Sequence, residues 1–146
     1  MERIEFIKTC CQAGLGLCLT TLLGESCSSS IYFAQATVET DKISVRKSEF
    51  QYLKKEEVRE RTHIFIKTAS AEFPICLYKS ADLYTACLMR CTHQGCEVEL
   101  QGNRYVCPCH GSEFNTKGDV LNGPADKSLR TFKTTQDETF IFIWLA

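Results

Sequence analysis

Short runs of alternating hydrophobic and polar residues occupy most of the chain after residue 36. Alternation with a period of two, over about four to eight residues, is typical of half-buried β-strands. Turn signals such as Gly102-Asn103 and Asn122-Gly123-Pro124 separate the runs. The eight runs cover residues 42–45, 62–68, 73–79, 83–90, 96–100, 103–107, 129–134 and 138–145. No long amphipathic helical pattern interrupts them, so they predict an all-β fold, a sandwich or small barrel.

The same alternation predicts which side chains form the core. The expected core residues are Ile64, Ile66, Ile75, Leu77, Leu88, Phe140, Phe142 and Trp144. Residues 54–61, with the sequence KKEEVRER, instead mix charges of both signs. Such a mixed run favours a solvated loop or a short helix.

Residues 1–36 follow a different order. Two basic residues precede an apolar run at 13–24, and a serine-rich patch and Ala-Gln-Ala follow it. This order is typical of an export signal, and the run is shorter than the roughly twenty residues of a membrane-spanning helix. We predict an export signal or N-terminal membrane anchor at 1–36 and a separate domain at 37–146. The sequence does not decide whether this segment is cleaved, lipidated at Cys27 or retained. A retained segment could also be a buried helix of the domain.

The charge balance narrows the function classes. The net charge is −1 at neutral pH, whereas nucleic-acid-binding proteins usually carry a basic surplus. We therefore expect no nucleic-acid partner. The sequence also offers no convincing nucleophile or acid–base pair, so we expect no independent substrate chemistry.

Cysteine and histidine are concentrated in two short segments, CTHQGC and CPCHGSEF. These hold four of the ten cysteines and two of the three histidines. Each offers one cysteine near one histidine, as Cys91-x-His93 and Cys107-x-x-His110. Two thiolates and two imidazoles can bind zinc or an iron–sulfur cluster. A zinc finger normally pairs like with like, so the mixed arrangement favours a [2Fe–2S] centre with two cysteines on one iron and two histidines on the other.

Each segment also contains a second cysteine, Cys96 or Cys109. A disulfide between them would clamp the segments together and contribute about 3 kcal/mol to stability. Gly95 and Gly111 would let the backbone pass close to the inorganic sulfides and donate N–H hydrogen bonds. A zinc site and a purely disulfide-bonded β-domain are the alternatives.

The two segments resemble the cluster-binding loops of Rieske iron–sulfur proteins, in the disulfide-bearing branch of cytochrome bc-type and b–f-type complexes. The similarity covers roughly residues 83–129 and includes NGPADKSL, whose Gly123 and Pro124 resemble the loop that covers the cluster. The resemblance implies a β-sandwich with a small cluster-binding subdomain and one [2Fe–2S] cluster per chain. The implied ligands are Cys91 and Cys107 on one iron and His93 and His110 on the other, with Cys96 paired to Cys109.

Three positions bear on what such a cluster would do. Ser112 matches the family serine whose hydroxyl donates to a cluster sulfide and raises the potential. Phe114 stands where the respiratory proteins have a tyrosine that donates to a ligand sulfur, so we predict a lower potential. Gln94 stands where quinol-oxidising subunits commonly have leucine, which weakens the case for quinol docking.

The resemblance implies one-electron transfer as the iron–sulfur subunit of a membrane quinol-oxidising complex. The alternative is a stand-alone exported Rieske protein, or a small subunit of another oxidoreductase of arsenite-oxidase-like type. The donor is then a quinol or a partner oxidoreductase subunit, and the acceptor is cytochrome-like. Membrane association through the N-terminal segment would place the domain on the periplasmic side of a bacterial inner membrane.

Three remaining residues have simpler interpretations. His63 lies alone in a strand-like run, which indicates an ordinary packed or surface histidine. Cys76 and Cys87 lie in apolar runs. This position predicts either buried free thiols or a bonded pair.

Overall fold

The structure, a computed structural model, describes residues 31–146, which form thirteen β-strands and one short 3-10 helix. The strands are β1 Ala36–Val38, β2 Lys42–Arg46, β3 Gln51–Lys54, β4 Glu57–Glu60, β5 His63–Ile66, β6 Ile75–Ser80, β7 Leu83–Leu88, β8 Glu99–Gln101, β9 Arg104–Val106, β10 Glu113–Asn115, β11 Val120–Asn122, β12 Thr131–Gln136 and β13 Phe140–Trp144, and the helix is Lys47–Phe50. The predicted all-β fold is confirmed.

Every strand pairs antiparallel with its neighbours in three sheets. The largest sheet has the strand order β1-β2-β13-β12-β7-β6-β5. The second has the order β11-β10-β9-β8, and β3 and β4 form a hairpin of their own. The second sheet is inserted in the chain between β7 and β12, which are neighbours in the large sheet. The large sheet is therefore the base, and the second sheet forms the smaller subdomain.

The large sheet folds over on itself, because strands from its two ends share one core. Isoleucines from β2 and β13 pack in the same core as those from β5 and β6. The opposite face of β5–β7 carries Phe65, Cys76 and Cys87, which pack in a second core with residues of the smaller subdomain. Strands buried on both faces read as continuous apolar runs, as in Ile75-Cys76-Leu77 of β6, all three buried.

The predicted core is wrong on β13. Ile141 and Ile143 are fully buried, whereas Phe140, Phe142 and Trp144 are only half-buried. Both faces of this strand are apolar, so alternation alone did not identify the inner one. Basic side chains from β2 cover the aromatic rings, with one lysine nitrogen 5.4 Å from the Phe142 centroid and 5.9 Å from that of Trp144. Long basic side chains can cover apolar surface while their charge stays in water.

The expectation of a loop or short helix at residues 54–61 is also wrong, because β3 and β4 form a hairpin there. Nearly all its side chains are exposed, so it needs no apolar face. Arg61 contacts the open end of the hairpin. Its guanidinium lies 3.9 Å from the centroid of the Tyr32 ring and 4.7 Å from that of the Tyr52 ring. Tyr32 and Arg61 are far apart in the chain, so the local pattern of charges at residues 54–61 could not predict this contact.

Residues 31–36, assigned above to the N-terminal segment, pair with the domain. The N–H of Ala34 donates to the carbonyl of Phe65 at 2.8 Å, and the N–H of Phe65 donates to the carbonyl of Tyr32 at 3.0 Å. Residues 1–30 lie outside the described residues, so the export signal or anchor stays a prediction. Within residues 31–146, no helix is long and apolar enough to cross a membrane.

Gly118 provides a test of the second core. Its φ is +89°, and an added Cβ would lie 3.2 Å from Thr131 Cγ2 and 3.3 Å from Leu129 Cβ. Gly118→Ala combines backbone strain with overpacking, and we expect it to lower the free energy of unfolding by about 3 kcal/mol. Gly102→Ala is the matched control, since its φ is +64° with nothing within 4 Å of the added Cβ, and should cost about 1 kcal/mol. If urea titrations showed equal losses of unfolding free energy for the two variants, close packing around Gly118 would be contradicted.

Candidate metal centre

Two loops at the end of the smaller subdomain have the same backbone hydrogen bonds. In loop 1 (residues 91–96), the N–H of Cys91 donates to the carbonyl of Cys96, and the N–H of Gly95 donates to that of Cys91. In loop 2 (residues 107–112), the N–H of Cys107 donates to the carbonyl of Ser112, and the N–H of Gly111 donates to that of Cys107. The spacing of donor and acceptor is the same as in loop 1.

The turn requires a left-handed backbone four residues after each leading cysteine. Gly95 has a φ of +79° and Gly111 a φ of +77°. Glycine adopts this conformation without the steric penalty of other residues. The local reason for both glycines is therefore the turn itself, and their predicted approach to cluster sulfides stays a prediction.

The two loops place thiols inside and imidazoles outside. Cys91 and Cys107 are about 2% and 1% exposed, and both are free thiols. His93 and His110 are exposed, with ring centroids 5.0 Å apart and ring planes perpendicular. The structure thus brings all four candidate ligands to one place. This donor set, two soft thiolates and two imidazoles, fits a [2Fe–2S] group with mixed ligation.

A disulfide joins the loops, as the sequence predicted. Cys96 and Cys109 are bonded, 13 residues apart in the chain. The sulfur of Cys107 lies within 4.8 Å of both disulfide sulfurs. These three sulfurs do not form a separate metal site, because two of them are bonded to each other.

A third loop, residues 122–129, is hydrogen-bonded to both others. The N–H of Ala125 donates to the hydroxyl oxygen of Ser112 at 3.0 Å, and the hydroxyl of Thr92 donates to the carbonyl of Lys127 at 2.5 Å. Gly123 and Pro124, joined by a cis peptide bond, form the exposed start of this loop. Thr92 was missed by sequence reasoning, because its partner is distant in the chain.

Ser112 lies fully buried beside the leading thiol of loop 1. Its oxygen accepts from Ala125, so its hydroxyl proton remains available to a second partner. Burial raises the pKa of Cys91, and the nearby Cys107 adds to this, while the backbone N–H of His93 and the Ser112 hydroxyl oppose it. A metal ion binding Cys91 must therefore displace a proton that burial holds in place.

Phe114 is fully buried and packs in the same core as the thiols of Cys91 and Cys107. Its cross-strand partner Tyr105 does not replace the missing hydroxyl. The Tyr105 oxygen is buried, has no nitrogen or oxygen partner, and lies beside the thiols of Cys76 and Cys87.

Cys76 and Cys87 are opposite each other on β6 and β7, fully buried and unbonded. Burial raises the pKa of Cys76 to about 12 and that of Cys87 to about 11. The thiolate is the form that binds metal, and these raised pKa values disfavour it at both residues. His63, which the sequence indicated to be an ordinary packed or surface histidine, is half-buried with its ring 5.4 Å from that of Phe65.

An antiparallel β-domain that carries two Cys–His loops joined by a disulfide defines a class of metal-centre protein. The sequence profile of the family described as "Rieske [2Fe-2S] domain" matches residues 48–133, more than half of the chain. The chain belongs to this family, and its cofactor is one [2Fe–2S] cluster.

Curated relatives match a little over a third of the chain. The cytochrome b6-f complex iron-sulfur subunit of Synechococcus elongatus is 43% identical over 56 residues, covering 36% of this chain and 31% of that protein. The same subunit of Prochlorococcus marinus (strain MIT 9303) is 43% identical over 58 residues, covering 37% and 33%. The chain thus spans about a third of the length of these relatives.

A solved structure, the cyanobacterial plasma membrane Rieske protein PetC3 from Synechocystis PCC 6803, is 31% identical to this chain. The alignment covers 56% of this chain and 85% of that one, with a TM-score of 0.49.

The contribution of the disulfide to stability can be tested. Replacing Cys96 and Cys109 together by serine removes a cross-link between residues 13 positions apart. We expect a loss of about 3 kcal/mol in the free energy of unfolding, chiefly because the unfolded chain gains freedom. Denaturant titration with and without dithiothreitol measures this. The reductant should destabilise the parent protein by a similar amount and leave the double variant unchanged. A parent protein indifferent to reductant would refute the expectation.

Proposed function

We propose that Cys91 and Cys107 bind one iron of the [2Fe–2S] cluster and that His93 and His110 bind the other. The observation that carries this assignment is the two exposed imidazoles, with ring centroids 5.0 Å apart, beside two buried thiols. The alternatives from the described residues are weaker, because Cys96 and Cys109 are bonded to each other and burial raises the pKa of Cys76 to about 12 and that of Cys87 to about 11.

The protein then acts as a one-electron carrier. A bound Rieske cluster supplies reversible one-electron chemistry at potentials of about −150 to +300 mV. The thiols stay away from solvent, which limits hydrolysis and oxidation of the site. The exposed His93 and His110 form the outer surface, where an electron partner can approach within contact distance. Thr92 and Ser112 hold the third loop against loops 1 and 2.

The physiological role that we propose is the iron–sulfur subunit of a membrane quinol-oxidising complex. Support comes from the relatives, which are named as cytochrome b6-f complex iron-sulfur subunits and are 43% identical to this chain over 56 and 58 residues. In this role a quinol is the donor and a cytochrome the acceptor. The predicted N-terminal segment, residues 1–36, would attach the domain to the periplasmic face of the membrane.

One observation favours a second role. Gln94 is exposed next to His93, where the resemblance leads us to expect an apolar contact with quinol. A polar side chain here suits docking to a protein surface. The second candidate is therefore a stand-alone exported carrier, or a small subunit delivering electrons for a partner oxidoreductase.

The ligand assignment is tested by spectroscopy of the reduced protein. We expect the parent chain to show the low-temperature electron paramagnetic resonance signal of a Rieske centre. Cys91→Ser or His110→Ala should abolish it, because each removes one of four iron ligands. His63→Ala is the control and should keep the full signal, since its ring lies on β5 against Phe65. A silent parent protein containing zinc would disprove the proposal.

The potential-lowering effect of Phe114 can be measured by redox titration. Phe114→Tyr introduces a hydroxyl in the core that contains the ligand thiols. A donor to a ligand sulfur stabilises the more negative reduced state, and about 1 kcal/mol of added stabilisation corresponds to about 40 mV. We expect the midpoint potential to rise by this order. Ser112→Ala should lower it, because a donor is removed. An unchanged or lower midpoint in Phe114→Tyr would refute the account.

A further inference from the structure

A cleft of about 310 Å³ lies beside loop 1, between β7, β12 and the segment before β6. Its apolar lining includes Phe73, Ile75, Leu88, Phe132 and Leu145. The proposed electron-transfer role uses none of these residues. The volume corresponds to about ten water molecules and to the lower end of known ligand pockets. A ligand of this cleft is therefore small, with an apolar body.

Two arginines, Arg90 and Arg130, stand among the lining residues. The Arg90 guanidinium lies 5.7 Å from the Phe73 ring centroid, and that of Arg130 lies 5.0 Å from that of Phe132. Within residues 31–146, neither arginine forms an ion pair with a carboxylate. Glu72 also lines the cleft and, like both arginines, is exposed. Two positive charges therefore stand beside one negative charge.

We propose that this cleft binds a small amphipathic carboxylate. Arginine guanidinium groups present a planar fork of N–H donors that matches a carboxylate. The apolar lining takes the hydrocarbon part of the ligand, which a bare inorganic anion lacks. Recognition thus requires both a negative charge and an apolar body of about the size of a phenyl ring.

The cleft is linked to the candidate metal centre through Arg90, which precedes loop 1. Its guanidinium lies against Gly95, where an added Cβ would be 3.2 Å from both Nε and a terminal nitrogen. A fixed positive charge beside loop 1 favours the reduced, more negative centre. A bound carboxylate neutralises that charge and disfavours reduction. This link rests on the proposed ligand set, whereas binding itself does not.

The test uses the full chain, with phenylacetate as the probe in isothermal titration calorimetry. We expect millimolar binding, as befits so small a ligand. Arg90→Gln and Arg130→Gln should each weaken it about tenfold, since each removes a charge-assisted hydrogen bond. Arg59→Gln is the control, because Arg59 pairs with Glu57 on the separate hairpin and should leave the affinity unchanged. If either cleft variant fails to fold, the other carries the comparison.

Two further probes need no variant. Neutral 2-phenylethanol lacks the charge and inorganic phosphate lacks the apolar body, so both should bind at least tenfold more weakly than phenylacetate. Equal affinity for either probe, or unchanged phenylacetate binding by both cleft variants, would overturn the proposal.

The link to the centre is measured by redox titration with saturating phenylacetate. We expect the reduced protein to bind the probe about threefold more weakly than the oxidised protein. For a one-electron couple this lowers the midpoint by about 28 mV, at 59 mV per tenfold. A fixed or raised midpoint would overturn the link. A chain that binds phenylacetate but carries no Rieske centre would refute the proposed ligand set and leave the binding site standing.

Discussion

The candidate site depends on one constraint, the convergence of two loops from different strand connections. Loop 1 joins β7 to β8 and loop 2 joins β9 to β10. Each loop contains one histidine, so neither can supply two imidazoles alone. The disulfide between Cys96 and Cys109 fixes their separation. The third loop reinforces it through bonds from Thr92 and to Ser112. A constrained arrangement costs less to hold in its ligand-binding geometry than one that must be ordered by the metal.

The backbone repeat of the two loops has a consequence for how the site is built. Each leading cysteine makes the same pair of turn hydrogen bonds, but the histidine follows two residues later in loop 1 and three residues later in loop 2. The disulfide cysteine comes five residues later in loop 1 and two residues later in loop 2. The same turn hydrogen bonds therefore accommodate different positions of the histidine and of the second cysteine, and the two loops can face each other without being sequence copies.

The two cores differ in composition and share one layer of strands. The base core is made mainly of isoleucine, leucine and valine, which pack tightly and carry no polar atoms. The second core contains the thiols of Cys91 and Cys107, the Tyr105 hydroxyl and the aromatic ring of Phe114. Strands β5–β7 belong to both cores, so the base supports the candidate site through one shared layer. A change in the second core, as at Gly118, is therefore expected to be felt at the site.

Much of this protein followed from local sequence. Alternation indicated an all-β domain, and the spacing of cysteine and histidine in CTHQGC and CPCHGSEF predicted the candidate site residues, because a metal centre limits which residue types can serve. The predicted disulfide between Cys96 and Cys109 is confirmed. The sequence did not decide which face of β13 is buried, because both faces are apolar and the covering lysine and arginine come from β2. It also did not indicate the hairpin of β3 and β4, the bond from Thr92 to the third loop, or the cleft of Arg90 and Arg130. Each of these depends on residues far apart in the chain, and only the tertiary structure brings them into contact.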